Sequence, residues 1–370
     1  MTQREKIGQL FMVGFTGTSV TPDLAGFLKE YKPGGVILFA RNLESIGQIV
    51  ELTNDLQRCS PKSPLLISID QEGGRVSRLP KGFTIFPPCE VLGRCNSSEL
   101  AYAAAATIAK ELLAVGINMN MAPVLDVNSN PDNPVIGDRA FGSTPEIVGE
   151  LAVLTAAGLQ DNQVVACGKH FPGHGDTMTD SHKELPVVDA SRERLEAVEL
   201  PPFRRAVASG VATMMTAHVL YKSLDPRFPA TLSPLIITNL LRDELRYDGV
   251  VLTDDLEMRA IVDHYGVGDA SVRALHAGCD VLLICKDRER EVAAFEAVEK
   301  AVASGAISTE RLDQSVGRIQ RLKQRFLIPH RPANISQAML VAGCRTHQAL
   351  LQNVRQAWAR MGKGSAVKSA

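Results

Sequence analysis

Short apolar runs rich in Val, Ile, Leu and Met alternate along this chain with longer segments of helical period, and that rhythm limits the fold more than any other feature. The strand candidates are Leu10–Gly14, Gly35–Phe39, Leu65–Ile69, Ile117–Val124, Val164–Cys167, Thr213–Thr216, Val250–Leu252 and Asp280–Ile284. Helical segments between them include Leu100–Val115, Pro145–Leu159, Arg192–Ser209, Ser233–Leu245 and Ser271–Ala277. Continuous apolar strands belong to sheets covered on both faces, and strand–helix alternation supplies the crossovers that parallel pairing requires. Eight such runs predict an α/β fold, a (β/α)8 TIM-type barrel, over an open sheet.

A chain of 370 residues has room for two domains, but one barrel with a tail uses the length equally well. After Ile328 the segment PHRPAN breaks the helical pattern. Ile335–Met361 then reads as a further amphipathic helix, and the closing GKGSAVKSA is small, polar and expected to fray. The predicted organisation is a barrel domain over residues 1–330 and a C-terminal helical extension over 331–370.

Charge narrows the partners. Lys and Arg number 40 against 41 Asp and Glu, a net charge of −1, which argues against a life on phosphate backbones or anionic lipid. With 5% aromatic residues there is no sign of a stacking platform for single strands either. No apolar run approaches the ~18 residues that would span a bilayer. The opening MTQREKIGQLFMVGF has no long apolar core of the signal-peptide kind, so a cytoplasmic location is expected. Seven cysteines lack CxxC spacing, and several sit in apolar runs as small hydrophobes.

Several strand candidates end abruptly in a residue of chemical interest: Asp70 after LLISI, Lys169 and His170 after VVACG, His218 after MMTA, and Asp254 after GVVLT. In a barrel these ends converge on one mouth, where such folds place their chemistry. The segment Lys169–Pro186, KHFPGHGDTMTDSHKELP, holds three of the chain's eight His in 18 residues with two Gly and two Pro, a composition that makes a shaped loop. In Asp180-Ser181-His182 a carboxylate two residues from an imidazole can bond one ring nitrogen, fix the tautomer and leave the other nitrogen to exchange a proton. Spacing alone equally permits a surface His that follows an Asp.

In GVVLTDDLEM, Asp254 would stand at a strand's end and point into the mouth as nucleophile or electrostatic stabiliser. Asp255 would open the following helix, where a capping role is the competing reading. An Asp opposite a proton donor is the minimum set for retaining glycoside cleavage. In DQEGGRVSR, Asp70 and Arg78 could hold hydroxyl groups through charged hydrogen bonds, and Gly137-Asp138-Arg139 adds another loop arginine. Taken singly, each of these is more often a structural ion pair than a ligand contact.

Taken together and in order, KHFPGHGDTxxDSHxxLP, DQEGGRVxR, the GDR loop and TDDLEM resemble the glycoside hydrolase family 3 β-N-acetylglucosaminidases, over residues of about 5 to 325. The resemblance implies a single (β/α)8 barrel acting on N-acetylglucosamine-containing cell-wall fragments. It implies Asp254 as nucleophile, His182 as acid/base with Asp180 as its partner, and sugar binding by Asp70, Arg78, Arg139, Lys169 and His170. His174 and Asp176 would shape the loop. Many family members carry a second α/β domain that supplies a carboxylate acid; the ~40 residues after position 330 cannot hold one, consistent with the branch that uses a loop Asp-His pair.

The expected substrate is a small carbohydrate, a muropeptide or chitooligosaccharide, with no cofactor, no metal, no nucleic-acid or membrane partner, and a monomer or weak dimer as the working form. Gly173 and Gly175 are expected to act as hinges, so that without ligand the loop is free to hold His182 away from Asp254. An imidazole acid is neutral once it has given up its proton and adds no second anion beside the glycosyl ester, so a phosphorylase of the same architecture is one alternative. Another is a metal-dependent hydrolase using His170, His174 and His182 with Asp176 or Asp180. A muropeptide-binding protein without turnover is a third.

Overall fold

The computed structural model describes residues 1–365, with side chains through Met361. Ten strands form: β1 (Phe11–Val13), β2 (Gly35–Leu38), β3 (Leu66–Ile69), β4 (Met119–Asn120), β5 (Val165–Phe171), β6 (Val187–Val188), β7 (Thr213–Thr216), β8 (Leu220–Tyr221), β9 (Val250–Asp255) and β10 (Val281–Ile284). Eight close into a barrel in the order β1, β10, β9, β7, β5, β4, β3, β2, while β6 and β8 pair separately. Every barrel pairing is parallel, with helices in the crossovers, so this is the expected (β/α)8 TIM-type barrel.

The apolar runs explain the closure. The strands β2, β3, β5 and β10 are buried at every residue, the state that continuous Val/Ile/Leu sequence suits when one face fills the barrel and the other meets helices. On the outer face Phe11 stacks on Phe295 of the helix Arg288–Ala303, ring centroids 3.8 Å apart. At the end of β1, Gly14 donates its N–H to Ile284 O (2.8 Å). A Cβ there would lie 1.8 Å from the Cys285 carbonyl oxygen, so only glycine lets the ends of β1 and β10 approach this closely.

Several boundaries differ from expectation. The run expected over Ile117–Val124 pairs as a strand only at Met119–Asn120, because Pro123 has no N–H to give the ladder. The strand β5 extends to Phe171, so Lys169 and His170 lie on the barrel wall and the loop begins after them. The helix expected at Asp255 starts at Arg259. Asp255 closes β9, its Oδ1 accepting the Glu257 N–H (3.0 Å). Within Arg192–Ser209 the turn Leu195–Glu199 is π-helical, as fits the two prolines that follow it and cannot donate to the preceding turn.

The extension folds as two helices, not one: Ile335–Val341 and Arg345–Ser365, separated by a break where Gly343 has φ +58°. Glu111, fully buried, fastens this break to the barrel. Its carboxylate accepts the Gly343 N–H (2.9 Å), faces His347 Nδ1 (2.8 Å), and also takes both the N–H and the hydroxyl of Thr84. The expected frayed end begins at Gly362, yet the helix continues to Ser365; residues 366–370 lie outside the described residues. Among those described, no helix is long and apolar enough to cross a membrane.

Candidate active site

At the C-terminal ends of the strands a cavity of 490 Å³ opens, lined by the eight residues that the resemblance assigns to catalysis and sugar binding: Asp70, Arg78, Arg139, Lys169, His170, Asp180, His182 and Asp254. Convergence follows from topology, since each sits at the end of β3, β5 or β9 or in the loop that follows β3, β4 or β5.

The floor is a buried ionic cluster. Lys169 is 2% exposed, and its ammonium lies 2.7 Å from Asp70 Oδ1 and 2.6 Å from Glu72 Oε1. Arg139 meets the same Glu72 in bidentate fashion, Nε to Oε2 and Nη2 to Oε1, each at 2.9 Å. Burial works against the Glu72 charge, but the two cations hold its carboxyl well below the ordinary range. The same carboxylates keep Lys169 and Arg139 protonated despite their own burial. Sequence reading singled out Asp70 and Arg78 from DQEGGRVSR and passed over Glu72, which binds the cluster together.

Glu72→Gln is expected to cost about 3–5 kcal/mol of stability, because it leaves two buried cations short of an anion; urea unfolding at pH 7 measures it. The sign with pH follows from the depressed folded pKa. The Glu72 contribution is present above the unfolded carboxyl's pKa of about 4.3 and is lost as pH falls below it, so the variant's acid limb should be flatter.

A second overlooked carboxylate is Asp126. It is fully buried, lies 2.6 Å from His170 Nδ1, and accepts the His174 backbone N–H at 2.6 Å. Burial raises the cost of its charge, yet His170 and these bonds hold its pKa below the usual value. An ionised Asp126 only accepts, so Nδ1 of His170 carries a proton and Nε2 turns toward the Arg139 guanidinium, 3.5 Å from Nη2. Asp126 ends the run MAPVLD, the same signal that marked Asp70 and Asp254.

The loop after β5 presents the acid/base candidates. His182 Nδ1 lies 2.8 Å from Asp180 Oδ1, and that oxygen also takes the His182 backbone N–H (2.9 Å). These bonds and the imidazole outweigh burial and lower the Asp180 pKa. The His182 side chain is 64% exposed and lines the cavity, and its Nε2 makes no hydrogen bond to a described residue. His174, by contrast, is buried between Thr177 Oγ1 (2.9 Å) and Ser181 Oγ (3.1 Å), and burial lowers its pKa to about 4. It is a neutral brace of the loop.

The expected glycine hinges are packed. At Gly175 a Cβ would lie 1.6 Å from the Val127 carbonyl oxygen, and at Gly173, with φ +133°, it would meet Glu199. The loop therefore rests on the barrel with His182 and Asp254 lining one cavity.

Asp254 accepts the Asp255 N–H at 2.8 Å. Burial opposes its charge, but the imidazoles of His218 and His170 and this N–H bring the pKa below the ordinary value. Its neighbour goes the other way: burial, with the Glu257 and Asp254 carboxylates, pushes Asp255 up to about 7. Adjacent carboxyls driven apart in this way mark Asp254 as the standing anion. His218 is fully buried, held by Thr231 Oγ1 (2.7 Å) and Asp255 O (3.0 Å); it props the end of β9 and does not line the cavity. Arg78 leaves its buried Nε without a partner among the described residues, a donor suited to a hydroxyl or carbonyl oxygen. Among the described residues no group of three or more His, Cys, Asp or Glu could hold a metal ion.

One ionised carboxylate, an imidazole with a fixed tautomer, and charged donors and acceptors around them are what cleaving a bond between sugars asks of a protein. On a closed parallel barrel they define a barrel glycoside hydrolase. The chain belongs to glycosyl hydrolase family 3, whose N terminal domain matches residues 2–322. It is similar to Beta-hexosaminidase A of Pseudoalteromonas piscicida, 37% identical over 359 residues, which cover 90% of this chain and 60% of that protein; the chain thus spans under two thirds of that relative. A Beta-hexosaminidase of Alkalilimnicola ehrlichii is 43% identical over 284 residues, 75% of this chain and 81% of its own length. Among solved structures, a glycoside hydrolase family 3 beta-N-acetylglucosaminidase from Paenibacillus sp. superposes with a TM-score of 0.93 at 47% identity, covering 96% of this chain and 69% of that one.

Proposed function

We propose that this chain is a retaining exo-β-N-acetylglucosaminidase with its chemistry in the barrel of residues 1–330. The observation that carries the reading is that Asp254, from β9, and the Asp180–His182 pair, from the loop after β5, line one cavity. Asp70, Arg78, Arg139, Lys169 and His170 hold the terminal N-acetylglucosamine with its anomeric carbon toward Asp254. A carboxylate oxygen of Asp254 attacks that carbon as the bond to the leaving oxygen breaks, and His182 gives that oxygen the proton from Nε2. A water then attacks the glycosyl ester, His182 takes its proton, and Asp254 leaves as the carboxylate, so the β configuration is restored. Asp180 keeps Nδ1–H in place throughout and stabilises the imidazolium.

The substrate class is the N-acetylglucosaminyl-1,6-anhydro-N-acetylmuramic acid fragment of peptidoglycan, with or without stem peptide, processed in cytoplasmic cell-wall recycling. Incubation with a 2-fluoro or 5-fluoro glycosyl inhibitor, followed by peptide mass spectrometry, should place the label on Asp254. A label elsewhere, or an α-configured first product by NMR, would overturn the mechanism. Product analysis with and without phosphate separates hydrolysis from phosphorolysis, the latter giving the sugar 1-phosphate. Binding without turnover would make the chain a muropeptide-binding protein.

Loop packing gives a further expectation. Gly175→Ala forces the backbone off Val127, and a displacement of ~1 Å at the acid/base loop should lower kcat about 10²-fold. Steady-state kinetics on an aryl N-acetylglucosaminide measures it, with a thermal melt to show that the barrel persists.

A further inference from the structure

At the opposite end of the barrel, where β1 and β3 begin, a second cavity of 610 Å³ opens beside the helix Thr309–Phe326. It is lined by Lys62 and Ser63, just ahead of β3, and by Arg321, Lys323 and Arg325 of that helix. Among the described residues no Asp or Glu lines it. The catalytic mouth is different: its Lys169 and Arg139 are neutralised by Asp70 and Glu72.

Lys323 is 3% exposed. Its ammonium donates to Gln9 Oε1 (2.8 Å) and Ser63 Oγ (3.2 Å), and its third N–H has no acceptor among the described residues. Gln9 is itself fixed, its Nε2 donating to Lys32 O (2.9 Å). Burial, with no anion to offset it, lowers the Lys323 pKa to about 7. Bridging a glutamine and a serine is work for a neutral donor. A buried ammonium is costly in that place unless an anion joins it.

The carboxylates nearby are already engaged. Glu5 pairs with Lys32 (2.7 Å) and Asp313 with Lys6. Asp248 is shared by Arg318 and Arg321, at 2.9 and 3.0 Å. The buried Asp280 is shared by Arg242, Arg311 and Arg318. Among the described residues no carboxylate lies within 4.0 Å of the Lys62 or Lys323 ammonium or the Arg325 guanidinium. In a chain of net charge −1, this end of the barrel concentrates positive charge.

We propose that this cavity is a binding site for the phosphate group of a phosphorylated small molecule, seated against Lys323 and the Ser63 hydroxyl. That hydroxyl now shares Gln9 Oε1 with the ammonium and can turn to the anion as a further donor. Cations that lack a carboxylate on three side chains call for more than one negative charge. A phosphate monoester carries about two at neutral pH, and its oxygens point in different directions, so the compact Lys323 charge and the Arg325 fork can each reach one. A carboxylate offers a single charge and a planar pair of oxygens. The volume leaves room for a body of sugar or nucleoside size. The site goes beyond the glycosidase reading and does not depend on it.

Isothermal titration of the purified full chain tests it with inorganic phosphate, glucose 6-phosphate and adenosine 5′-monophosphate, and with glucose and citrate as controls. At least one phosphate should bind once per chain and glucose should not; the order of the three phosphates tells free phosphate, sugar phosphate and nucleotide apart. Lys323→Met, which keeps the buried stem, should weaken the tightest of them about tenfold, and Arg325→Gln about threefold. Added sodium chloride should weaken it in the native chain. The exposed position of Arg325 keeps the test valid should Lys323→Met fail to fold. Both variants should turn over an aryl N-acetylglucosaminide at the native rate.

No binding of any phosphate at millimolar concentration, or binding that neither variant weakens, would overturn the site. Binding that both variants retain and excess N-acetylglucosamine displaces would assign the phosphate to the catalytic mouth and overturn it too. Citrate held more tightly than every phosphate would make the cavity a polycarboxylate site, against the proposal. A native chain that binds phosphate as expected yet cleaves no aryl N-acetylglucosaminide supports the site and strikes the glycosidase reading alone.

Discussion

Asp254→Ala is expected to lower kcat by about 10⁴-fold or more and to leave the barrel folded. The two halves of that expectation have separate causes. Asp254 stands at the end of β9, partly open to the cavity, and among the described residues its side chain's only hydrogen bond is from the next residue's N–H. Removing it opens no hole in the hydrophobic core and relieves the cost of desolvating a carboxylate, so the far-UV spectrum and melting temperature should stay near those of the native chain. Turnover loses the atom that bonds to the anomeric carbon, and no neighbour can substitute. Asp255 is pushed up to about 7, and its Oδ1 is engaged with the Glu257 N–H. Azide supplied with an activated aryl substrate should rescue the variant by direct attack and yield the α-glycosyl azide. A variant retaining full activity would remove Asp254 from the reaction. The pH sign follows from the lowered pKa of Asp254: the nucleophile stays ionised as pH falls through the ordinary carboxylate range near 3.9, so an acid limb due to Asp254 should appear only below it.

How far the sequence discloses such a site depends on what kind of work each residue does. The barrel was legible because parallel strands buried on both faces write themselves as uninterrupted Val/Ile/Leu runs, and eight of them recur with helical crossovers. The candidate site residues were legible where a strand's apolar run stops at a charged group, as at Asp70, Lys169 and Asp254. Glu72, Asp126 and Glu257 escaped notice because their partners are distant in sequence. Glu72 meets Arg139 across 67 residues and Asp126 meets His170 across 44, and nothing local reveals such a pairing. The glycines misled for a related reason: a glycine permits both freedom and close approach, and only the Val127 carbonyl decides for the second at Gly175. The break at Gly343 is of the same kind, since the amphipathic period runs through it while Glu111, far away in the chain, captures its N–H.

His182→Ala should divide substrates by their leaving groups. An aglycone that departs as an alkoxide needs a proton in the transition state, whereas an activated aryl oxide does not, so the loss should be about 10²–10⁴-fold on disaccharides and much smaller on 2,4-dinitrophenyl N-acetylglucosaminide. With the activated substrate, formation of the glycosyl ester remains fast and its hydrolysis slows for want of a base, so a burst of aryl oxide should precede the steady state. Azide should then accelerate turnover and give the β-glycosyl azide, opposite in configuration to the Asp254→Ala product, because it attacks the ester and not the substrate. Asp180→Asn tests the orientation of the ring. It preserves the shape of the pair but removes the anion that fixes Nδ1–H and stabilises the imidazolium, so it should fall on the same side of the leaving-group divide with a smaller loss. The Asp180 pKa is lowered by its bonds to His182, which places the loss of this support, as pH falls, below the range in which a free aspartate would protonate. Equal losses on activated and unactivated substrates in both variants would mean that the pair braces the loop, and the proton donor would have to be sought elsewhere on the cavity wall.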